Sequence, residues 1–443
     1  MRLKNIVRST VTGAASLALA IGLGSCSRDY VVAYVYSISG GSPATGGTIS
    51  AYGVDFQTGI INQIAGSPFA LTALSNPSKV IAAPNNKFVY VIGGSQNAQI
   101  EEFAVGTDGK LYGEHTYDLT GTEATTVSNG SNALPYQLVG AAIDSAGKFL
   151  YVTFSYQSGY STASPGPGGI TIYPINADGS LGTAFTQKVG NNPVAIAVSA
   201  PVCVPTAILA GSASAACNTA TGNSSAGFDN VYVYVLDQEI TAAKPTILGF
   251  AQNQTTGALT PLAGTNLTTL QGYHAGVLPS AIAVDGTTRF VYVTDEEQNE
   301  ILGYSIARTT TGDLTPLVGS PFGTGQLPVS ITIDPRAQYV YTANFNSSTI
   351  SSFAIAQATG NLSTVSGSTF TTSTGPTCVT IDPALGQFLY TSNYQDNSLS
   401  GGQLQANTGV VNAIADTPFP TGASPTCLTS VANGSHSTQS LTP

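Results

Sequence analysis

The chain contains no tryptophan and a single methionine, and only 8% of its 443 residues are charged. Glu, Lys and Arg dress the solvated faces of helices, so a chain this poor in them is poor material for a helical domain. Positive charge is scarcest: 13 basic residues face 23 acidic ones, for a net charge of -10. That balance repels phosphate backbones and anionic headgroups, which excludes nucleic acid as a partner. Beyond the N-terminus no apolar run approaches the roughly 20 residues of a spanning helix.

The chain is rich in glycine (49) and proline (24), with Ser, Thr, Asn and Gln supplying most of its polarity. Such a composition suits short strands and tight turns. At the N-terminus Arg2, Lys4 and Arg8 precede an apolar stretch over 11–23, and Leu23-Gly24-Ser25-Cys26 has the pattern of a bacterial lipobox. Residues 1–26 therefore read as a lipoprotein signal ending at a lipidated Cys26. The mature chain is expected in the cell envelope, periplasmic or at the surface, touching the membrane only through that lipid.

A unit repeats through the rest. Each copy opens with proline and a short alternating strand, as in Pro279-Ser280-Ala281-Ile282-Ala283-Val284-Asp285 and Pro328-Val329-Ser330-Ile331-Thr332-Ile333-Asp334. A second strand follows in seven copies, from Tyr34-Val35-Tyr36 through Phe88-Val89-Tyr90, Phe149-Leu150-Tyr151, Val231-Tyr232-Val233, Phe290-Val291-Tyr292 and Tyr339-Val340-Tyr341 to Phe388-Leu389-Tyr390. A third strand ends in an aromatic residue, and a turn at Gly59, Gly109, Gly179, Gly257, Gly312, Gly360 or Gly409 leads to a fourth.

Four such strands per unit describe an antiparallel blade that cannot bury both faces alone. The expectation is all-β: a seven-bladed β-propeller over 27–431, with a loop insertion at about 201–227 and a disordered tail at 432–443. The chain starts with a second-type strand and ends with an unpartnered first-type strand at Pro425-Thr426-Cys427, so the two ends should share one blade. Cys203 and Cys217 lie in the insertion and are expected to be bonded, as an oxidising compartment permits. Cys378 and Cys427 occupy equivalent places in successive repeats. Their side chains are expected to point the same way round the axis, which disfavours a bridge and makes them small apolar fillers.

In such a ring the segments before the first strands and the loops after the second strands surround one mouth of the central channel, where propellers bind ligands. The polar residues falling there are Asp237, Glu239, Glu296, Asn299, Asn344, Asn393 and Tyr394, with His274 before Pro279 as the histidine placed for acid–base work and Asp295 as its carboxylate partner. Acids from two blades at one mouth offer oxygen ligands of the kind Ca2+ takes, although no spaced calcium-loop pattern is present. Solvated loops and left-handed turn residues account for the same side chains.

The Phe-Val-Tyr-Val-Thr strands, preceded by Ile-x-Ile-Asp-Pro, resemble the YVTN and lactonase-like propellers, the group that includes 6-phosphogluconolactonase. The resemblance covers nearly the whole mature chain and implies the propeller fold and, for the lactonase-type members, lactone hydrolysis. Those members carry a His-x-His pair where this chain has Leu278-Pro279-Ser280, Arg-His where it has Val329-Ser330, and Ser-Asn-Arg-Gly where it has Ser392-Asn393-Tyr394-Gln395. The first expectation is accordingly an exported, lipid-anchored, monomeric binding or interaction module for a small molecule, glycan or envelope protein. The alternative is a lactone hydrolase using His274 and Asp295, with a divalent metal such as Ca2+ as assistant.

Overall fold

The structure is a computed structural model that describes residues 30–41, 46–72, 74–93, 99–118, 137–155, 168–205, 227–238, 244–367 and 369–434. These residues contain no helix, and hence none long and apolar enough to cross a membrane. Their strands build seven antiparallel blades, the seven-bladed propeller that the repeat predicts. In the compact blade formed late in the chain, Pro328–Ile333 pairs with Tyr339–Asn344, then Thr349–Ile355, then Leu362–Thr364. Phe370–Thr371 pairs the third strand beside the fourth, so the outer edge comes in two pieces, as in the four other five-stranded blades.

The second strands are buried along their whole length, as in Phe88–Gly93, Phe290–Asp295 and Phe388–Asn393. A second strand lies between its two sheet partners and has a neighbouring blade on each face. It therefore reads as a continuous β-branched and aromatic run rather than an alternation.

One device joins every blade to the next. The tyrosine hydroxyl of each second strand donates to the carbonyl of the next blade's turn glycine: Tyr36 to Gly109 (2.9 Å), Tyr90 to Gly179 (2.6 Å), Tyr151 to Gly257 (3.0 Å), Tyr234 to Gly312 (2.6 Å), Tyr292 to Gly360 (2.6 Å) and Tyr341 to Gly409 (3.2 Å). Tyr390 to Gly59, at 2.6 Å, completes the circle between the last blade and the first. Burial holds these phenols above their ordinary pKa range, so they remain protonated donors. The glycines are required, because each has positive φ and a Cβ would strike an aromatic ring of the preceding blade, for Gly59 at 2.4 Å from Phe388 Cδ1.

The ends share a blade as expected: Pro425–Ala432 pairs antiparallel with Val31–Ser39, from Ala33 opposite Ala432 to Ser39 opposite Pro425. The insertion begins and ends as structure, since Val202–Pro205 and Gly227–Asn230 form a two-stranded ribbon. The expected bond from Cys203 falls on Cys217, which, like Cys26, lies outside the described residues.

The expectation for the other two cysteines is corrected. Cys378 and Cys427 are bonded, with S–S 2.11 Å and Cα–Cα 4.9 Å. They sit in the innermost strands of adjacent blades, where the ring is narrowest. Side chains that occupy equivalent positions and face the axis converge there instead of running parallel.

Candidate functional site

The seven innermost strands enclose a cavity of about 320 Å³ on the axis, at the end where those strands begin. Most of these strands open on a proline paired with the last residue of the second strand, as Pro77 with Gly93 and Pro279 with Asp295. The register then slips by one residue, so that Ser78 and Lys79 both line the cavity, and Ser280 with Ala281 likewise.

Successive hydroxyls at this level lock the inner ring. Ser280 Oγ donates to the Pro328 carbonyl (2.7 Å), Thr377 Oγ1 to that of Pro425 (3.3 Å) and Thr426 Oγ1 to that of Pro77 (2.8 Å). Gln238 Nε2 does the same for Pro279 at 3.2 Å. At the next position of the seven inner strands stand Lys79, Gly140, Ala195, Ala281, Ser330, Cys378 and Cys427. Six are small and leave the space that the cavity occupies; the seventh is a lysine.

Lys79 and Glu296 are the charged side chains lining the cavity. Desolvation lowers the pKa of Lys79. Burial, and then repulsion from Asp295, raise that of Glu296. Lys79 escaped the sequence reading because its strand was assigned to the scaffold. The available signal was positional: it is the one charged residue among the small ones at that place in the repeat.

Asp295, expected to be catalytic, is fully buried, and its carboxylate accepts four backbone N–H groups, from Val277 (2.6 Å), Leu278 (3.1 Å), Glu297 (3.1 Å) and Gln298 (3.2 Å). It fastens the loop entering the inner strand to the turn that carries Glu296, whose own N–H bonds the Leu278 carbonyl at 2.9 Å. Gly276 makes this contact possible, since a Cβ there would lie 2.3 Å from Asp295 Oδ2. Asp237 repeats the arrangement one blade earlier, accepting from Asn191 and Asn192. Asn344 and Asn393, also buried at the ends of second strands, donate to Ser351 and Ser400 (2.9 and 3.0 Å). Asp237 and Asp295 hold loops in place, Asn344 and Asn393 brace the third strands of their own blades, and none of the four is among the cavity's lining residues.

Asn299 has φ of 57° and its Oδ1 accepts Leu327 N–H at 2.7 Å, a left-handed turn residue tying its loop to the next blade. Tyr394 is exposed on the loop after its second strand. Glu239 lies outside the described residues. His274 is exposed in the outer-edge strand Tyr273–His274, opposite Thr246, away from the cavity lining. The segment before an inner strand must travel from rim to axis, and at His274 it is still at the rim. Among the described residues no three His, Cys, Asp or Glu side chains come together to hold a metal. The carboxylates of Asp237 and Asp295 both accept backbone N–H groups.

The fold and its axial cavity define a class, the seven-bladed propeller with a central cavity. Residues 228–381 match the family described as Lactonase, 7-bladed beta-propeller. Among solved structures, a candidate 6-phosphogluconolactonase from Bacteroides fragilis is similar at TM-score 0.62 and 17% identity, covering 91% of this chain and 99% of the other. The periplasmic gluconolactonase of Pseudomonas aeruginosa is similar at TM-score 0.62 and 17% identity, covering 91% and 100%. No curated protein matches the chain in sequence. The chain is thus a seven-bladed β-propeller, and residues 228–381 of it resemble the lactonase propellers.

Proposed function

We propose that the protein hydrolyses a lactone in the axial cavity, with Glu296 as general base. The observation that carries this reading is a carboxyl group held on a fastened turn, half-buried, facing a polar axial cavity and making no side-chain bond to the described residues. The match of residues 228–381, which include Glu296, and the lactonase names of the structural neighbours support it.

In the proposed step Glu296 takes a proton from water, the oxygen attacks the lactone carbonyl carbon, and the ring C–O bond breaks as the leaving oxygen receives that proton. A carboxyl group whose pKa is raised toward neutrality serves both transfers. Glu296→Gln should lower kcat about 10²- to 10⁴-fold with folding intact, whereas His274→Ala should leave kcat unchanged. The kcat/KM of the wild type should rise with pH through a value above the ordinary glutamate range. A lactone panel turned over equally by Glu296→Gln would end the assignment. Binding without turnover of any lactone would return the propeller to a binding module.

The lipobox ending at Cys26 supports placing this activity in the cell envelope. Metabolic labelling with palmitate should mark the wild type and not Cys26→Ser; equal labelling of both would exclude lipidation at Cys26.

A further inference from the structure

We propose that Lys79 anchors an anion subsite in the axial cavity, and that the anion is the carboxylate of a polyhydroxylated acid. The inference uses the hydrolase reading only to identify the cavity as the site, since binding is measured without turnover.

The first observation is the layer that Lys79 occupies. Gly140, Ala195, Ala281, Ser330, Cys378 and Cys427 stand at the same level of the other blades, so the lysine projects into space that six small residues leave open. The second is its isolation. Lys79 is surrounded by the inner strands and makes no hydrogen bond or ion pair with any described residue, and Glu296 forms none with it across the cavity. Lys79 is partly buried, so its ammonium has lost part of its hydration with no counter-charge from the described residues in return, and a ligand's negative charge offsets that loss. Burial lowers the lysine's pKa, as expected of an ammonium awaiting its counter-charge.

The rest of the lining selects among anions. Ser280, Thr377 and Thr426 already spend their hydroxyl hydrogens on the proline carbonyls of the next blade and Ser78 its own on Ile92, while Gln238 spends one of its two amide hydrogens on Pro279. What the hydroxyls retain is acceptor capacity. Such a wall suits a ligand that brings its own O–H donors. A phosphate dianion carries acceptors alone and is best met by planar guanidinium forks or a cluster of N–H groups. Here it would find the ammonium of Lys79, the second amide hydrogen of Gln238 and the hydroxyl of Ser330, whose oxygen accepts from Val379 N–H at 3.3 Å. A monocarboxylate on Lys79 with hydroxyl groups against the Ser/Thr wall satisfies both halves of the lining.

Titration calorimetry of the purified protein with D-gluconate, sorbitol and inorganic phosphate tests this. Gluconate should bind at least tenfold more tightly than sorbitol or phosphate, and Lys79→Met should lose at least tenfold in gluconate affinity with its circular dichroism unchanged. As a check needing no variant, gluconate but not sorbitol should protect Lys79 from acylation by acetic anhydride, read by peptide mass. Glu296→Gln should lose turnover yet keep gluconate binding, which separates failure of the subsite from failure of the hydrolase reading. Equal affinity for sorbitol, preference for phosphate, unchanged binding by Lys79→Met, or no gluconate binding would each overturn the proposal.

Discussion

Tyr390→Phe tests whether the ring of tyrosine–glycine bonds holds the propeller closed. The hydroxyl is fully buried and donates to the Gly59 carbonyl at 2.6 Å, and this is the link between the last blade and the first. Removing one oxygen creates a small void, but it also leaves a buried carbonyl without that donor, a loss of about 1–3 kcal/mol. Tyr341→Phe supplies an internal comparison: its bond to Gly409 is 3.2 Å long, and its removal should cost less, about 1 kcal/mol. Gly59→Ala attacks the same seam sterically, through φ of +70° and a Cβ 2.4 Å from Phe388 Cδ1, for about 1–3 kcal/mol. Because Gly59 and Tyr390 share the contact, the double variant should cost less than the sum. Urea unfolding should show lowered midpoints at unchanged slope. Tyr390→Phe as stable as wild type, or less costly than Tyr341→Phe, would refute the reasoning.

Three further outcomes follow from the same geometry. The folded-state pKa of Lys79 lies below its ordinary value of 10.5, so between those two values the unfolded chain binds more protons and stability rises with pH. Glu296 is the other titratable group on the cavity wall and stays in place in the variant. Lys79→Met should flatten that rise and add about 0.5–2 kcal/mol at neutral pH, read from thermal melts across pH; an unchanged slope would show that the lysine is solvated. Peptide mapping without reductant should recover Cys378 and Cys427 in one cross-linked species, and two free thiols would remove the bond from the account. Asp295→Asn, which replaces a carboxylate accepting four N–H groups, should lower stability by roughly 2–4 kcal/mol and reduce turnover by releasing the Glu296 turn; full activity in that variant would show that the turn holds Glu296 without it.

The propeller was legible in the amino-acid sequence because its signals are local and repeated. A Phe-Val-Tyr-Val run states that a strand is buried on both faces, a positive-φ glycine marks each turn, and seven copies with mismatched ends state how the ring closes. The polar positions were misjudged for the same reason. Asp237, Asp295, Asn344 and Asn393 stand out as polar residues ending apolar strands, yet what they do depends on which backbone N–H or hydroxyl groups the neighbouring loop or third strand brings within reach. His274 lies five residues before Pro279, and only the path of the chain from rim to axis shows that it has not arrived at the mouth. The cavity itself belongs to no segment. It comes from seven strands far apart in sequence converging on an axis, where six small side chains leave room for Lys79 and where Cys378 meets Cys427, 49 residues away. Periodicity along the chain is enough to specify strands and their number. The site is made by side chains meeting across blades, and only packing in three dimensions decides which of them meet.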